Sequence, residues 1–268
     1  MKLKQLIVVF LSFIPTLVMA QSAFSGFYGQ VSTGYESNQL GGVSGVGINT
    51  PNQGSDTIRS TPSQTFGGAP LVLGVGYYWQ ANDKWLIGVG ADYSALSQTS
   101  APLSISVTNA PGNNGITSGQ TSTSNGASLQ LANRFNLFLT PAYVIDKDKL
   151  VYIKAGYSQV TAQYNRGTSL TTTGIGLSTT VASTGGNQSS NQGGYLIGLG
   201  YKQIINTGLY TFVEGNYMGY SAPSYSYSST ADSFNRSVSA SSSVTRTVIT
   251  NFASLNSYQM LIGLGYAF

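Results

Sequence analysis

Six charged residues fall inside strand-like segments of a chain that has very few charges. Lys, Arg, Asp and Glu make up only 7% of the 268 residues, against about 25% in an average globular domain. If the strands close into a barrel, the alternation of side chains turns all six toward the lumen. An unpaired charge in a narrow lumen is costly, so we expect these acids and bases to pair with one another. The six residues are Glu36, Asp92, Arg134, Lys154, Lys202 and Glu214.

Two contacts within this predicted network follow from the order of the strands. Lys202 and Glu214 lie on opposite arms of one short hairpin and form the first expected pair. Asp92 and Arg134 are expected to meet across two neighbouring strands. Two interpretations of the network remain open, a structural plug of salt bridges and an ionic gate that exchanges partners and lets ions pass.

Other chemistry has little support in the residue types. The chain has no histidine and no cysteine, and therefore lacks the usual general base, a thiol nucleophile and the preferred ligands of structural zinc. The acid-rich run from Asp146 to Lys149 is interpreted as a solvated turn. The Gly-x-Gly segments open no helix, as a phosphate-binding loop would require. We predict a protein that is not an enzyme and needs no cofactor or metal.

A strict alternation of large apolar residues with glycine occurs four times in the chain. A period of two places the large side chains on one face of a β-strand and the glycines on the other. A soluble sheet would present polar residues to water, so the pattern predicts a narrow barrel with lipid outside. Inside, the glycines would make room for side chains from the opposite wall. The four segments are Leu73 to Tyr77, Ile87 to Gly90, Ile197 to Tyr201 and Ile262 to Tyr266.

Eight strand-like runs are present, an even number as an up-and-down barrel requires. They lie near 24–37, 70–81, 85–97, 129–144, 150–164, 193–205, 209–225 and 256–268. Short polar turns near 82–84, 146–149 and 206–208 alternate with long connections at 38–69, 98–128, 165–192 and 226–255. The chain is therefore predicted to be an all-β, eight-stranded antiparallel transmembrane barrel of the outer membrane, with both termini on the periplasmic side.

The first residues have the pattern of a cleaved leader. A positively charged start precedes an apolar run from Leu6 to Val18 that is too short to span a bilayer, and Ala20 ends a small-residue cleavage pattern before Gln21. We predict a signal peptide at 1–20 and a barrel domain at 21–268. Without the two lysines of the leader the formal net charge falls from +4 to +2. No basic cluster remains that would bind nucleic acid.

Aromatic residues collect at both ends of the predicted strands. Tyr and Trp favour the two bilayer interfaces because the ring is apolar and its polar tip stays hydrated. Two aromatic girdles are therefore predicted. One lies near the short turns and the chain end (Trp79, Trp85, Tyr143, Tyr152, Tyr201, Tyr210 and Tyr266), and one toward the long connections (Tyr35, Tyr93, Tyr195, Tyr220 and Tyr258).

Together these features resemble the small outer-membrane β-barrel proteins of Gram-negative bacteria, the OmpA-like and OmpX-like porin family. The resemblance covers 21–268 and rests on the leader, the opening Phe27-Tyr28-Gly29, the Gly-x-Gly-Tyr strands and the closing Leu264 to Phe268. It implies that the barrel assembly machinery recognises the last strand through Tyr266 and Phe268. A peptidoglycan-binding domain, which full-length OmpA carries, is not expected here, so a cell-wall tether is not implied.

The four long connections are rich in hydroxyl and amide groups and carry almost no charge. Stretches such as 238–250 alternate apolar and polar residues, which predicts that some strands extend above the membrane. The expected partners are outer-membrane lipid, lipopolysaccharide and host-surface or phage ligands at these loops, for a monomeric protein. The expected role is envelope integrity and adhesion, and the alternative is a small-conductance channel for ions or small solutes.

Overall fold

The computed structural model describes residues 22–50, 55–108, 121–167, 169–174, 177–182, 186–231 and 244–268. The predicted leader, with its cleavage point at Ala20 and Gln21, lies outside these residues. In the described part no helix is long and apolar enough to cross a membrane. The strands are β1 (Gly26–Leu40), β2 (Val43–Thr50), β3 (Ser55–Thr61), β4 (Gln64–Gly68), β5 (Leu71–Gln80), β6 (Trp85–Ser94), β7 (Gln98–Thr99), β8 (Leu103–Thr108), β9 (Thr121–Asp146), β10 (Lys149–Asn165), β11 (Ser169–Gly174), β12 (Leu177–Ala182), β13 (Asn187–Asn206), β14 (Leu209–Tyr220), β15 (Ser224–Ala231), β16 (Val244–Phe252) and β17 (Leu255–Ala267).

Eight of these strands close into an antiparallel up-and-down barrel. They pair in the order β1, β5, β6, β9, β10, β13, β14 and β17. The barrel closes because β17 also pairs with β1, where Tyr28 lies opposite Ala267 and Leu40 lies opposite Leu255. The predicted fold class and strand number are confirmed. We call the end with the tight connections β5–β6, β9–β10 and β13–β14 the turn end, and the other the loop end.

The outer face of the barrel is apolar. On β13 Leu196 is buried, whereas Ile197 and Leu199 are 52% and 65% exposed. A belt of aliphatic side chains exposed in this way is unfavourable in water and is solvated by hydrocarbon chains in a bilayer. The closed barrel has no strand edge within this belt, so the protein spans a membrane, and barrels of this type lie in the outer membrane. The belt includes Leu73, Val75, Ile87, Leu139, Ile153, Val213, Met260 and Ile262.

Three of the residues assigned to the aromatic girdles do not lie on the outer face of the barrel. Tyr152, Tyr210 and Tyr220 are buried inside the barrel, so their assignment to the girdles was wrong. Each is an even number of residues from an inward-facing charge on the same strand, Lys154 or Glu214, and therefore shares its face. The predicted girdle residues that are exposed are Trp79, Trp85 and Tyr266 at the turn end, and Tyr35, Tyr93, Tyr195 and Tyr258 toward the loop end.

Inward-facing glycines lie directly opposite tyrosines of the neighbouring strand. In each pair the tyrosine ring covers the glycine, so that a methyl group added at Gly88 would come within 2.6 Å of Cε1 of Tyr78. The glycines therefore make room for rings from the adjacent strand, not for side chains from the opposite wall as predicted. The four pairs are Tyr28–Gly76, Tyr78–Gly88, Tyr152–Gly200 and Tyr210–Gly265.

The long connections contribute strands to a second sheet at the loop end. Its order is β15, β16, β2, β3, β8, β9, β11 and β12. Strand β9 belongs to both sheets because its 26 residues continue beyond the barrel. Of the predicted ribbon at 238–250, the part from Val244 onward forms β16, and 238–243 lies outside the described residues.

Two clusters of buried, mostly apolar side chains lie at opposite ends of the barrel interior. The turn-end cluster contains Phe24, Tyr28, Tyr78, Leu86, Ala142, Val144, Leu150, Tyr152, Tyr210 and Phe212. The loop-end cluster continues into the inner face of the second sheet and includes Leu40, Leu103, Ile105, Leu129, Tyr164, Leu196, Met218 and Phe252. The buried charges lie within and between these clusters.

Candidate functional site: a buried charge network

The first ion pair of the interior joins Arg134 of β9 to Glu36 of β1. Nη1 of Arg134 donates to Oε2 of Glu36, and both side chains are almost fully buried. Nε donates to the Tyr220 hydroxyl at 2.9 Å, and Nη2 donates to Ser257 Oγ at 3.1 Å and to Asn38 Oδ1 at 3.2 Å. The guanidinium group is thus hydrogen-bonded on each of its nitrogens, which offsets much of the cost of burying its charge.

An irregularity in β9 lies directly on the loop-end side of Arg134. Asn133 has a φ of 50°, in the left-handed region that asparagine tolerates. The β9–β10 register shifts there, since Gln159 lies opposite Phe135 while Thr161 lies opposite Ala132. Such a bulge exchanges the inward and outward faces of a strand. Accordingly Arg134 and Asn136 face inward on the turn-end side, and Leu131 and Leu129 do so on the loop-end side.

Lys154 of β10 is the centre of the second cluster of charges. Its Nζ donates to Asp92 Oδ2 at 2.6 Å and to Glu214 Oε1 at 2.9 Å, and its side chain is 1% exposed. The ammonium group also lies 4.0 Å from the centroid of the Phe138 ring. Further donors to the two carboxylates are Asn136 to Asp92 at 2.5 Å, and Tyr152 and Asn216 to Glu214 at 2.6 and 2.7 Å.

Lys202 lies apart from this cluster, in a cage of aromatic rings. Its Nζ donates to Gln30 Oε1 at 3.1 Å and to the Tyr210 hydroxyl at 3.4 Å. Among the described residues no carboxylate forms an ion pair with it. The rings around its ammonium group belong to Tyr28 at 4.1 Å, Tyr210 at 4.7 Å, Tyr78 at 5.2 Å, Tyr152 at 5.4 Å and Phe212 at 5.8 Å. Cation–π attraction therefore takes the place of an ion pair.

Both predicted pairings were wrong, although the structure places all six charges inside the barrel. Lys202 lies opposite Phe212, and Glu214 lies opposite Gly200, where Tyr152 and Lys154 reach it from β10. Asp92 lies opposite Asn136, whereas Arg134 lies opposite Ser94, one inward-facing position closer to the loop end. Sequence reasoning also missed the uncharged partners Asn38, Asn136, Tyr152, Asn216, Tyr220, Ser257 and Gln259. For the first five of these, the even spacing from a charge on the same strand was the available signal, whereas Ser257 and Gln259 lie on β17, which carries no charge.

The ion pairs cross the lumen. Arg134 and Glu36 come from β9 and β1, which are separated in the wall by β5 and β6. Lys154 on β10 joins Asp92 on β6 to Glu214 on β14, and another strand lies between each of these and β10. The network can therefore brace opposite walls and occupy the lumen. In the described part of the chain, no three acidic side chains come together as a metal site would require.

The two residues of the predicted assembly signal lie at the turn end. Tyr266 lies opposite Gly29 in the seam that closes the barrel. Phe268 is 81% exposed, and its ring centroid is 5.1 Å from that of Tyr266. Their recognition by the assembly machinery stays a prediction.

Comparison with protein-family models finds no match, and no curated protein matches the chain. Solved structures of low identity do resemble it. Ail, the attachment invasion locus protein of Yersinia pestis, solved with the heparin analogue sucrose octasulfate, is 11% identical with a TM-score of 0.34, over 88% of this chain and 99% of that one. The outer membrane protease OmpT of Escherichia coli is 11% identical with a TM-score of 0.39, over 94% and 99%. The outer membrane protein OprG of Pseudomonas aeruginosa is 12% identical with a TM-score of 0.45, over 91% and 96%. The chain is thus similar to solved proteins of the outer membrane, while its own strand pairing establishes the barrel.

Proposed function

We propose that the protein is a closed outer-membrane barrel that acts at the cell surface, in envelope integrity and adhesion, through the sheet at its loop end. One observation carries this proposal: the lumen is occupied along its length by the turn-end cluster, the charge network and the loop-end cluster. All six interior charges have hydrogen-bonding partners of their own. The barrel then serves as a rigid support for the second sheet.

The outer face of the second sheet favours uncharged hydrogen-bonding partners. Ser106 and Thr123 bond across β8 and β9 at 2.9 Å, and Thr171 and Thr180 bond across β11 and β12 at 3.1 Å. Each hydroxyl keeps acceptor capacity beyond these bonds. Sugar hydroxyls of lipopolysaccharide, and host-surface or phage ligands of similar chemistry, are the partners that we propose for a monomeric barrel.

A shortened hairpin tests this role. Replacing 169–182 by Asn-Gly removes β11 and β12 while leaving the paired strands of the barrel intact. Cells that display the full chain should bind cultured epithelial cells or a lipopolysaccharide-coated surface, and cells that display the shortened chain should bind less. Lys147→Ala, at the turn end, is the matched control and should bind like the full chain. Equal binding by the full and shortened chains would refute the proposal.

A small-conductance channel is the second candidate, and one observation favours it. Ser94 Oγ, Asn136 Oδ1 and Asn216 Oδ1 are buried beside the charges with no hydrogen-bond partner among the described residues. Polar atoms in such a position are commonly hydrated. Planar-bilayer conductance of residues 21–268, beside a Glu214→Ala variant, separates the two candidates. Small steps that change with the variant favour the channel, and a silent bilayer with a folded barrel favours the surface role.

The orientation and assembly of the barrel belong to the same proposal. We infer that the signal peptide at 1–20 directs export and that both termini lie on the periplasmic side. The barrel assembly machinery would then meet Tyr266 and Phe268 at the turn end. Protease digestion of intact cells tests the orientation, because cleavage confined to the long connections is expected and cleavage at the tight turns would contradict it.

A further inference from the structure

The segment that precedes β1 turns back under the barrel and inserts an aromatic ring into it. Phe24 is 2% exposed, and its ring centroid is 6.3 Å from that of Tyr210, with the rings edge to face. Phe27, three residues later, is 63% exposed on the outer face. Between Phe24 and Phe27 the chain therefore passes from the interior of the barrel to its outer face.

A compact turn holds Phe24 in this position. The backbone N–H and the hydroxyl of Ser25 both donate to the carbonyl oxygen of Ser22, at 2.9 and 2.8 Å. The backbone N–H of Ser22 donates to Oε1 of Gln80, at the turn end of β5, at 3.0 Å. The segment Ser22–Ser25 is thus tied to β5, the strand that pairs with β1.

Gly26 is the hinge of this segment. Its φ of +116° lies in the left-handed region, and an added Cβ would lie 2.8 Å from the backbone oxygen of Phe268. Only glycine adopts this conformation without strain. The reversal of the chain therefore depends on that residue.

Phe24 belongs to the same aromatic layer as the cage of Lys202. Its neighbour Tyr210 accepts a hydrogen bond from the Lys202 ammonium group, and both rings belong to the turn-end cluster. The rings of Tyr28, Tyr78 and Tyr152 surround the rest of that group. The ring of Phe24 thus covers the cage from the turn end.

We propose that Ser22–Ser25 is a hinged stopper that closes the turn end of the barrel and separates the Lys202 cage from water. The charge network closes the middle of the lumen by other means, through side chains of the wall itself. The stopper, by contrast, can leave without breaking a strand pair, because its residues precede the first rung of β1.

Lysine labelling tests this proposal on the full chain, isolated from outer membranes in detergent. Reductive methylation with formaldehyde and cyanoborohydride, followed by peptide mass spectrometry, reports the accessibility of each lysine. In the unaltered protein the exposed Lys84 and Lys147 should react, whereas Lys154 and Lys202 should not. Phe24→Ala should make Lys202 react at a rate approaching that of Lys84, with Lys154 still protected. Phe27→Ala is the matched control and should leave Lys202 protected.

A second variant, at the hinge, tests the stopper without removing the Phe24 ring. Gly26→Ala retains Phe24 and strains the reversal, so Lys202 should again become reactive. Reaction of Lys202 in the unaltered protein, or its protection in both variants, would overturn the proposal. Reaction of Lys154 together with Lys202 would also overturn it, because Phe24 would then be a core residue whose loss loosens the whole barrel. The result is independent of the surface role, since labelling reports on the turn end alone.

Discussion

Lys154 offers the sharpest test of how the interior charges stabilise the barrel. Lys154→Met keeps an unbranched, flexible side chain but removes the ammonium group, which lies 2.6 Å from Asp92 and 2.9 Å from Glu214. Two buried carboxylates then lose their only cationic partner among the described residues. Removing one member of a buried ion pair costs about 3–5 kcal/mol, because an uncompensated charge remains. We expect a loss of unfolding free energy in this range.

Urea unfolding of the refolded barrel measures this loss. The two tryptophans of the chain, Trp79 and Trp85, project from the turn end and report unfolding by their fluorescence. With a urea dependence of about 2 kcal/mol per molar, a loss of this size moves the midpoint down by roughly 2 M. The slope of the transition should stay the same, since the barrel buries the same surface.

Two variants separate charge from packing. In Lys149→Met the ammonium group lost is 3.2 Å from Asp146 in an exposed turn, so no change beyond error is expected. The triple variant Asp92→Asn, Lys154→Met and Glu214→Gln removes all three charges and should recover most of the lost stability. If Lys154→Met unfolds like the unaltered protein, or the triple variant is no more stable than Lys154→Met, the reasoning about uncompensated charge fails.

Three further predictions concern single contacts. Tyr220→Phe removes the hydroxyl that accepts a hydrogen bond from the Arg134 guanidinium at 2.9 Å, and it should lower the unfolding free energy by about 1–3 kcal/mol. An unchanged urea midpoint would contradict this. Gly200→Ala forces a methyl group into the ring of Tyr152 and should lower the unfolding free energy by about 1–3 kcal/mol. Gly29→Ala is its control and should not destabilise the barrel, because a methyl group there meets nothing within 4 Å. Equal urea midpoints for the two variants would contradict this prediction. Phe268→Ala removes an 81% exposed ring and should slow assembly into vesicles that contain the barrel assembly machinery, while spontaneous folding into lipid alone keeps its rate. An equal slowing in both systems would show that the ring aids folding itself.

The barrel could be predicted because the two-residue alternation of side chains identifies the strands and also the face on which each side chain lies. The alternation in Ile262 to Tyr266 assigns each side chain to lipid or lumen before any partner strand is known. The pairing of charges within the lumen depends on something else: which side chain of a non-neighbouring strand lies at the same height along the barrel axis. Glu214 forms its ion pair with Lys154 of β10, and Tyr152 of the same strand donates to the same carboxylate. Hairpin proximity, the signal that favoured Lys202, does not contain this information.

The strands at the loop end were harder to predict for a different reason. Segments such as Ser169–Gly174 are rich in Ser and Thr, whose side chains suit turns as well as solvated strands. Their pairing partners come from other connections far away in sequence, such as Thr121 to Asn125 for β11. The bulge at Asn133 adds a change of face that no local pattern announces. Arg134 was placed correctly because it lies on the turn-end side of the bulge.

The Gly-x-Gly motif and the aromatic cage of Lys202 have one common cause. A glycine on the inner face lets a tyrosine from the neighbouring strand lie flat against the wall, and four such pairs occur near the turn end. The flattened rings turn their faces toward the axis, where the Lys202 ammonium group lies 4.1 Å from the centroid of Tyr28 and 4.7 Å from that of Tyr210. The ring face is the negative part of the aromatic quadrupole, so this geometry favours a cation at the axis. The motif that makes the outside of the barrel compatible with lipid therefore also determines which charge its interior accepts at the turn end.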